Sequence, residues 1–111
     1  MSSIEKKIRV VKLFNLYGSL LSSAQYEIVN DYYLADLSLS EISENRSVSR
    51  SAIEDALKKA EAKLEGYEEK LHYLEKSSQI SNKLDILAQK STDLESQEII
   101  KKIKEDINYG I

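Results

Sequence analysis

The chain has no cysteine, no proline and no tryptophan, with three glycines and one histidine in 111 residues. Without cysteine there is no disulfide framework, no thiolate metal site and no thiol nucleophile. One histidine cannot furnish a multi-histidine zinc or iron site within a chain. Sheet-rich proteins turn on clusters of glycine, proline, asparagine and aspartate, and their scarcity points to an all-α fold. No apolar run approaches the roughly 18 residues of a membrane span. The opening Met1-Ser2-Ser3-Ile4-Glu5-Lys6-Lys7 has no apolar stretch behind it, unlike a signal peptide. A cytoplasmic protein without membrane insertion is expected.

What is present suits a packed helical domain. The composition is 41% hydrophobic and 32% charged, apolar enough for a core and too apolar for a disordered chain. Net charge is −3, unevenly spread. Residues 1–20 carry four bases and one acid, and residues 21–45 carry five acids and no base. Residues 46–63 carry five bases (Arg46, Arg50, Lys58, Lys59, Lys63) against three acids, and the remainder is mildly acidic. A strong nucleic-acid binder shows a broader basic excess, so any such contact is expected to be local or doubled in a dimer.

Helix starts punctuate the chain. Ser or Thr followed three residues later by Glu or Gln occurs at Ser2/Glu5, Ser22/Gln25, Ser38/Glu41 and Thr92/Glu95, the reciprocal capping pattern. Asn82 with Asp85 is a weaker version. The apolar period predicts a first helix over 3–17 with Ile4, Ile8, Val11, Phe14 and Tyr17 on one stripe, stopped by Gly18. Further helices are expected over 23–34, 39–46, from Ser49 to a polar break at 77–82, over 83–90 and over 93–108. The two units expected are a helix-turn-helix domain over 1–64 and a helical extension over 65–111.

The fourth helix is the most regular. Ile53, Leu57, Ala60, Leu64, Tyr67, Leu71 and Leu74 step by 4, 3, 4, 3, 4, 3, a seam able to bury against another helix along its length. Its cover is either the chain's own Leu84, Leu87, Leu94, Ile100, Ile103 and Ile107 or a second chain. A homodimer through helix four and the C-terminal helices is the expectation, with Leu57, Leu64, Tyr67, Leu71 and Leu74 as the dimer or helix-packing seam.

Residues 39–57 fit the helix-turn-helix spacing. Ile42 followed by small Ser43 lets a second helix cross closely, Val48 can plug the turn, and Ile53, Ala56 and Leu57 face back. The outward side presents Ser49, Arg50, Ser51, Glu54 and Lys58 to a groove. Ser49 caps a helix whose positive end faces phosphate. Arg46, Arg50, Lys58 and Lys59 are the expected phosphate contacts, and Ser49, Ser51 and Glu54 the groups at base edges. Glu54 and Asp55 repel phosphate, although a glutamate can accept from cytosine N4. Ser47 stands where a left-handed turn favours glycine. A plain helical pair in a bundle is the simpler reading of the same spacing.

Four stretches resemble one family: Leu21-Ser22-Ser23-Ala24-Gln25, Tyr32 to Ile42, Val48-Ser49-Arg50-Ser51-Ala52-Ile53, and Leu64-Glu65-Gly66-Tyr67-Glu68-Glu69-Lys70-Leu71. Over roughly residues 3–76 the chain is similar to the YlxM-like family, small bacterial proteins related to region four of sigma factors. The resemblance implies a sigma-like helix-turn-helix without a wing, and a part in the signal recognition particle pathway or its regulation. DNA and signal recognition particle components are the implied partners. Ser47 replaces the family's turn glycine, and Glu54 and Ala56 stand where its members are usually more polar and aromatic.

Other chemistries find little support. Glu69 and His72 form half of a Glu-x-x-His pair, of which a di-iron site needs two. Paired carboxylates such as Glu65 and Glu69 share a helix surface without a pocket to raise either pKa. Tyr26, Tyr32 and Tyr33 sit at helical spacing beside Ile28 and Val29, as core and rim residues do. Lys6, Lys7, Arg9 and Lys12 read as a solvated face pairing with the acids of 27–44. Neither catalysis, nor a cofactor, nor a metal is expected.

Overall fold

The structure, a computed structural model, describes residues 2–108. It contains helices α1 (Ser3–Tyr17), α2 (Ser23–Val29), α3 (Leu39–Arg46), α4 (Arg50–Leu71), α5 (Tyr73–Lys90) and α6 (Leu94–Asn108). A 3₁₀ turn over Gly18–Leu20 follows α1, and a π turn over Asn30–Leu34 extends α2. There is no strand among the described residues. The fold is all-α, with a helix-turn-helix in α3 and α4.

Most starts are where the hydroxyls stand. The Glu5 amide donates to Ser2 Oγ at 3.2 Å. Ser22 with Gln25 and Ser38 with Glu41 close full capping boxes, each satisfying two otherwise orphaned N–H groups. The Ala52 amide donates to Ser49 Oγ at 3.1 Å. The last expected cap is displaced by one residue: Asp93, not Thr92, accepts from the Ser96 amide at 2.9 Å. Asn82 caps nothing, because it lies inside α5.

One core joins α1 to α4. Val10, Leu13, Phe14, Leu16 and Tyr17 of α1 pack with Ile28, Val29 and Tyr33, with Ile42 of α3, and with Ile53, Leu57, Ala60 and Leu64 of α4. The expected α1 stripe begins too early: Ile4 is 72% and Ile8 50% exposed, and burial starts at Val10. The start of α1 still lies beside α4, through Lys6–Glu61 and Arg9–Glu65, but polar pairs and not apolar packing hold it there. Gly18 does follow the last α1 residue, but with right-handed φ −55°. Its need is for space. A Cβ there would lie 3.0 Å from the Phe14 ring and 3.3 Å from that of Tyr26, two rings that pack at 4.7 Å.

The seam of α4 stays within the chain for its first half. Ile53, Leu57, Ala60 and Leu64 are buried in this core, Tyr67 is half-buried against Tyr17, and Leu71 is 52% exposed. The expected run to Ser77 is corrected: α4 stops at Leu71, His72 is left-handed (φ 53°), and 77–82 is helical. Leu74 therefore belongs to α5. The division expected at residue 64 falls inside α4, which continues through it.

The stop at His72 is made by tertiary bonds. The buried Glu68 carboxylate accepts from the Tyr17 hydroxyl at 2.6 Å and from the amides of Leu74 and Glu75 at 2.9 and 3.2 Å. The Tyr73 amide donates to the Tyr17 hydroxyl oxygen at 3.1 Å. Glu68 thus caps α5 from the preceding helix, supplying the negative charge that a helix N-terminus favours. Burial alone would push its pKa up. The Tyr17 hydroxyl, the two amides and nearby Arg9 outweigh that and hold it below the ordinary carboxylate value. Burial, and then the Glu68 bond, push the Tyr17 phenol up to about 12.

Beyond this junction α5 and α6 form a hairpin, and the molecule measures 55 × 27 × 26 Å. Gln97 holds its turn, donating to the carbonyls of Ala88 and Ser91 at 2.8 and 2.6 Å. Lys104 pairs with Asp85 across it. Among the described residues of the hairpin, only Ser77, Leu84 and Ile100 are buried.

Candidate nucleic-acid interface

The interface is built on the turn between α3 and α4. Ser47 is left-handed, with φ 54° and ψ 41°. The Val48 amide donates to the Ser43 carbonyl at 3.1 Å and the Ser47 amide to the Glu44 carbonyl at 3.3 Å, the paired bonds of a Schellman stop. A side chain in this conformation costs about 1 kcal/mol relative to glycine. Val48 was expected to plug the turn but is 46% exposed. Ile42 and Ile53, both fully buried, close the corner without it, each contributing roughly 2 kcal/mol of apolar burial.

Past the turn, Ser49, Arg50, Ser51, Glu54, Lys58 and Lys59 are all exposed on the first turns of α4. Ser49 occupies the cap, and its hydroxyl lies 3.4 Å from that of Ser51. The cations do not stand alone. Arg50 pairs with Glu54 at 3.6 Å and Lys59 with Asp55 at 3.0 Å, each across one helical turn. Such exposed pairs are worth only a few tenths of a kcal/mol, so a phosphate can displace them. Lys58 stands beside a cleft between α1 and α4, lined also by Lys6 and Arg9.

Arg46 is placed elsewhere. Its guanidinium lies 2.9 Å from Glu27 and 3.8 Å from Asp31, and its side chain is only 26% exposed. It ties α3 to α2 and its π extension rather than projecting beside α4.

The basic face of α1 pairs less with the acids of 27–44 than expected. Lys7 does meet Asp36 at 2.8 Å, but Lys6 meets Glu61 at 3.1 Å, and Arg9 clamps Glu65 through two bonds of 2.7 and 2.8 Å. These hold α1 against α4 and so help fix the position of α4. His72 contacts Glu75 at 3.4 Å. Among the described residues, no group of three or more His, Asp or Glu side chains could hold a metal ion. No helix there is long and apolar enough to cross a membrane. Glu68 was missed by sequence reasoning, since its partner Tyr17 lies 51 residues away.

This corner, with a first helix buried through Ile42 and a second exposing its capped N-terminus, is the geometry of a helix-turn-helix. A family model described as "Putative helix-turn-helix protein, YlxM / p13 like" matches residues 4–106. The chain belongs to this family. It is 47% identical over 96 residues to YlxM of Bacillus subtilis, covering 84% of this chain and 87% of that one. A family protein of Oceanobacillus iheyensis is 43% identical over 102 residues, covering 92% of this chain and 97% of the relative. One from Thermoanaerobacter pseudethanolicus is 42% identical over 102 residues, covering 86% and 87%. Membership in this YlxM / p13-like family extends past α4, since the match runs through the α5–α6 hairpin.

Proposed function

We propose that this YlxM-like protein is a DNA-binding regulator that lays the N-terminal turns of α4 in the major groove. The observation that carries this is the exposed, Ser49-capped start of α4, held at a fixed angle by the buried Ile42–Ile53 corner. In this reading Arg50, Lys58 and Lys59 neutralise phosphates, while Ser49, Ser51 and Glu54 face base edges. Arg46, tied to Glu27 and Asp31, acts as a positioning residue instead of a phosphate contact. Three cations are few for tight binding, so two copies act together on two half-sites. The resemblance to sigma region four supports a role in transcription, and the family resemblance supports a link to the signal recognition particle pathway in the cytoplasm. No catalytic step is part of this reading.

The second reading is a protein-interaction module. Its support is the acidic frame of α2, α3 and the segment between them, where Glu27, Asp36, Glu41 and Glu44 are exposed, together with the paired state of Arg50 and Lys59. Salt separates the two. DNA affinity falls with a log–log slope near −0.9 per neutralised phosphate, or about −5 for six contacts over a pair. Fluorescence anisotropy on a mixed-sequence duplex should give that slope, and Arg50→Ala should make it less negative by about one per copy. No complex at low salt and high micromolar protein would leave the protein-interaction reading standing.

A further inference from the structure

The α5–α6 hairpin leaves two unlike surfaces uncovered. Along α5, Lys76, Ile80, Lys83, Leu87 and Lys90 step by 4, 3, 4 and 3 residues and therefore share one face. Ile80 and Leu87 are 43% and 50% exposed, and the three lysines are exposed. Along α6, Glu95, Glu98, Ile99, Glu105 and Asp106 are exposed on one side, with Lys102 the single base among them. Among the described residues, none of these lysines or acids is in an ion pair, whereas the hairpin's other edge is tied by Lys104 and Asp85.

We propose that these two faces bind each other between two copies of the chain, α5 of one protomer lying on α6 of its partner and the reverse. This deepens the pairing invoked above by assigning its surface, and it does not depend on DNA. Three features select a second copy as the occupant. The faces are of opposite charge, and a two-fold axis brings each to the other twice, as a self-complementary interface requires. Lys83 to Lys90 and Glu98 to Glu105 both span seven residues, a step of about 10 Å along each helix, so the charged rows can keep register, as flanking rows do in paired helices. Between them Ile80, Leu87 and Ile99 supply apolar contact beyond the little that Leu84 and Ile100 bury within the chain. The upper seam of α4, with Leu57 and Leu64 in the chain's own core, offers no such surface.

A charge swap tests the pairing. The wild-type chain should sediment at twice 12.7 kDa at high micromolar concentration. A variant carrying Lys76→Glu, Lys83→Glu and Lys90→Glu should sediment at 12.7 kDa, and so should one carrying Glu95→Lys, Glu98→Lys and Glu105→Lys. Mixed in equal amounts, the two should regain the doubled mass, because each altered face now meets an opposite charge. A single-chain mass for the wild type, pairing by either variant alone, or a mixture that stays single would overturn the proposal. Should a triple variant lose helicity, the single change Ile80→Glu decides instead: a folded chain of single mass supports the surface, and a folded dimer overturns it. Loss of DNA binding with the dimer intact would count against the DNA reading alone.

Discussion

Two residues carry more than their type suggests. Ser47 adopts a left-handed conformation at the end of α3, where glycine would lose nothing to Cβ crowding. Ser47→Gly should raise stability by about 1 kcal/mol, read as a higher chemical-denaturation midpoint with the slope unchanged. A lower midpoint would mean that the extra chain entropy of glycine in the unfolded state exceeds the relief of strain. Arg46 illustrates the limit of reading residue type. Arginine in a basic segment beside a helix-turn-helix suggests phosphate, yet its guanidinium bonds to Glu27, nineteen positions back, and no local pattern names that partner.

At the scale of elements, starts were legible where the signal is local. Ser2, Ser22, Ser38 and Ser49 each cap the helix that the sequence assigns to them, because an N-cap is made by residues three apart. The stop between α4 and α5 was not legible. It depends on Glu68 reaching past His72 to two amides and on Tyr17 from α1, so an unbroken apolar period ran straight through it. This junction makes a prediction. Glu68→Gln keeps an acceptor but loses the charge, and should cost about 2 kcal/mol. Since the native pKa of Glu68 lies below its ordinary 4.5, the carboxylate's contribution is full above that value and fades as pH falls through the lower native one. Thermal unfolding across pH should therefore show the wild-type advantage over Glu68→Gln shrinking in acid. An advantage that persists unchanged well below the native pKa would contradict the capping role.

At the scale of the molecule, the two ends are built differently. The α1–α4 core holds α4 by burial at Ile42, Ile53 and Leu57 and by the Arg9–Glu65 clamp. The hairpin buries little of itself and offers α5 and α6 outward. The period could say that α4 has an apolar seam but not who covers it, because a buried and an interchain seam share one pattern. The structure divides it, with Leu57 and Leu64 inside and Leu71 half-exposed. In the proposed function, DNA meets the start of α4. Amide NMR of the labelled full chain, titrated at low salt with a short mixed-sequence duplex, measures that most directly. Shift changes should concentrate over residues 47–59, reverse with added salt, and be absent from α2 and the α5–α6 hairpin. Shifts centred on the acidic frame or the hairpin, or none at saturating duplex, would contradict it.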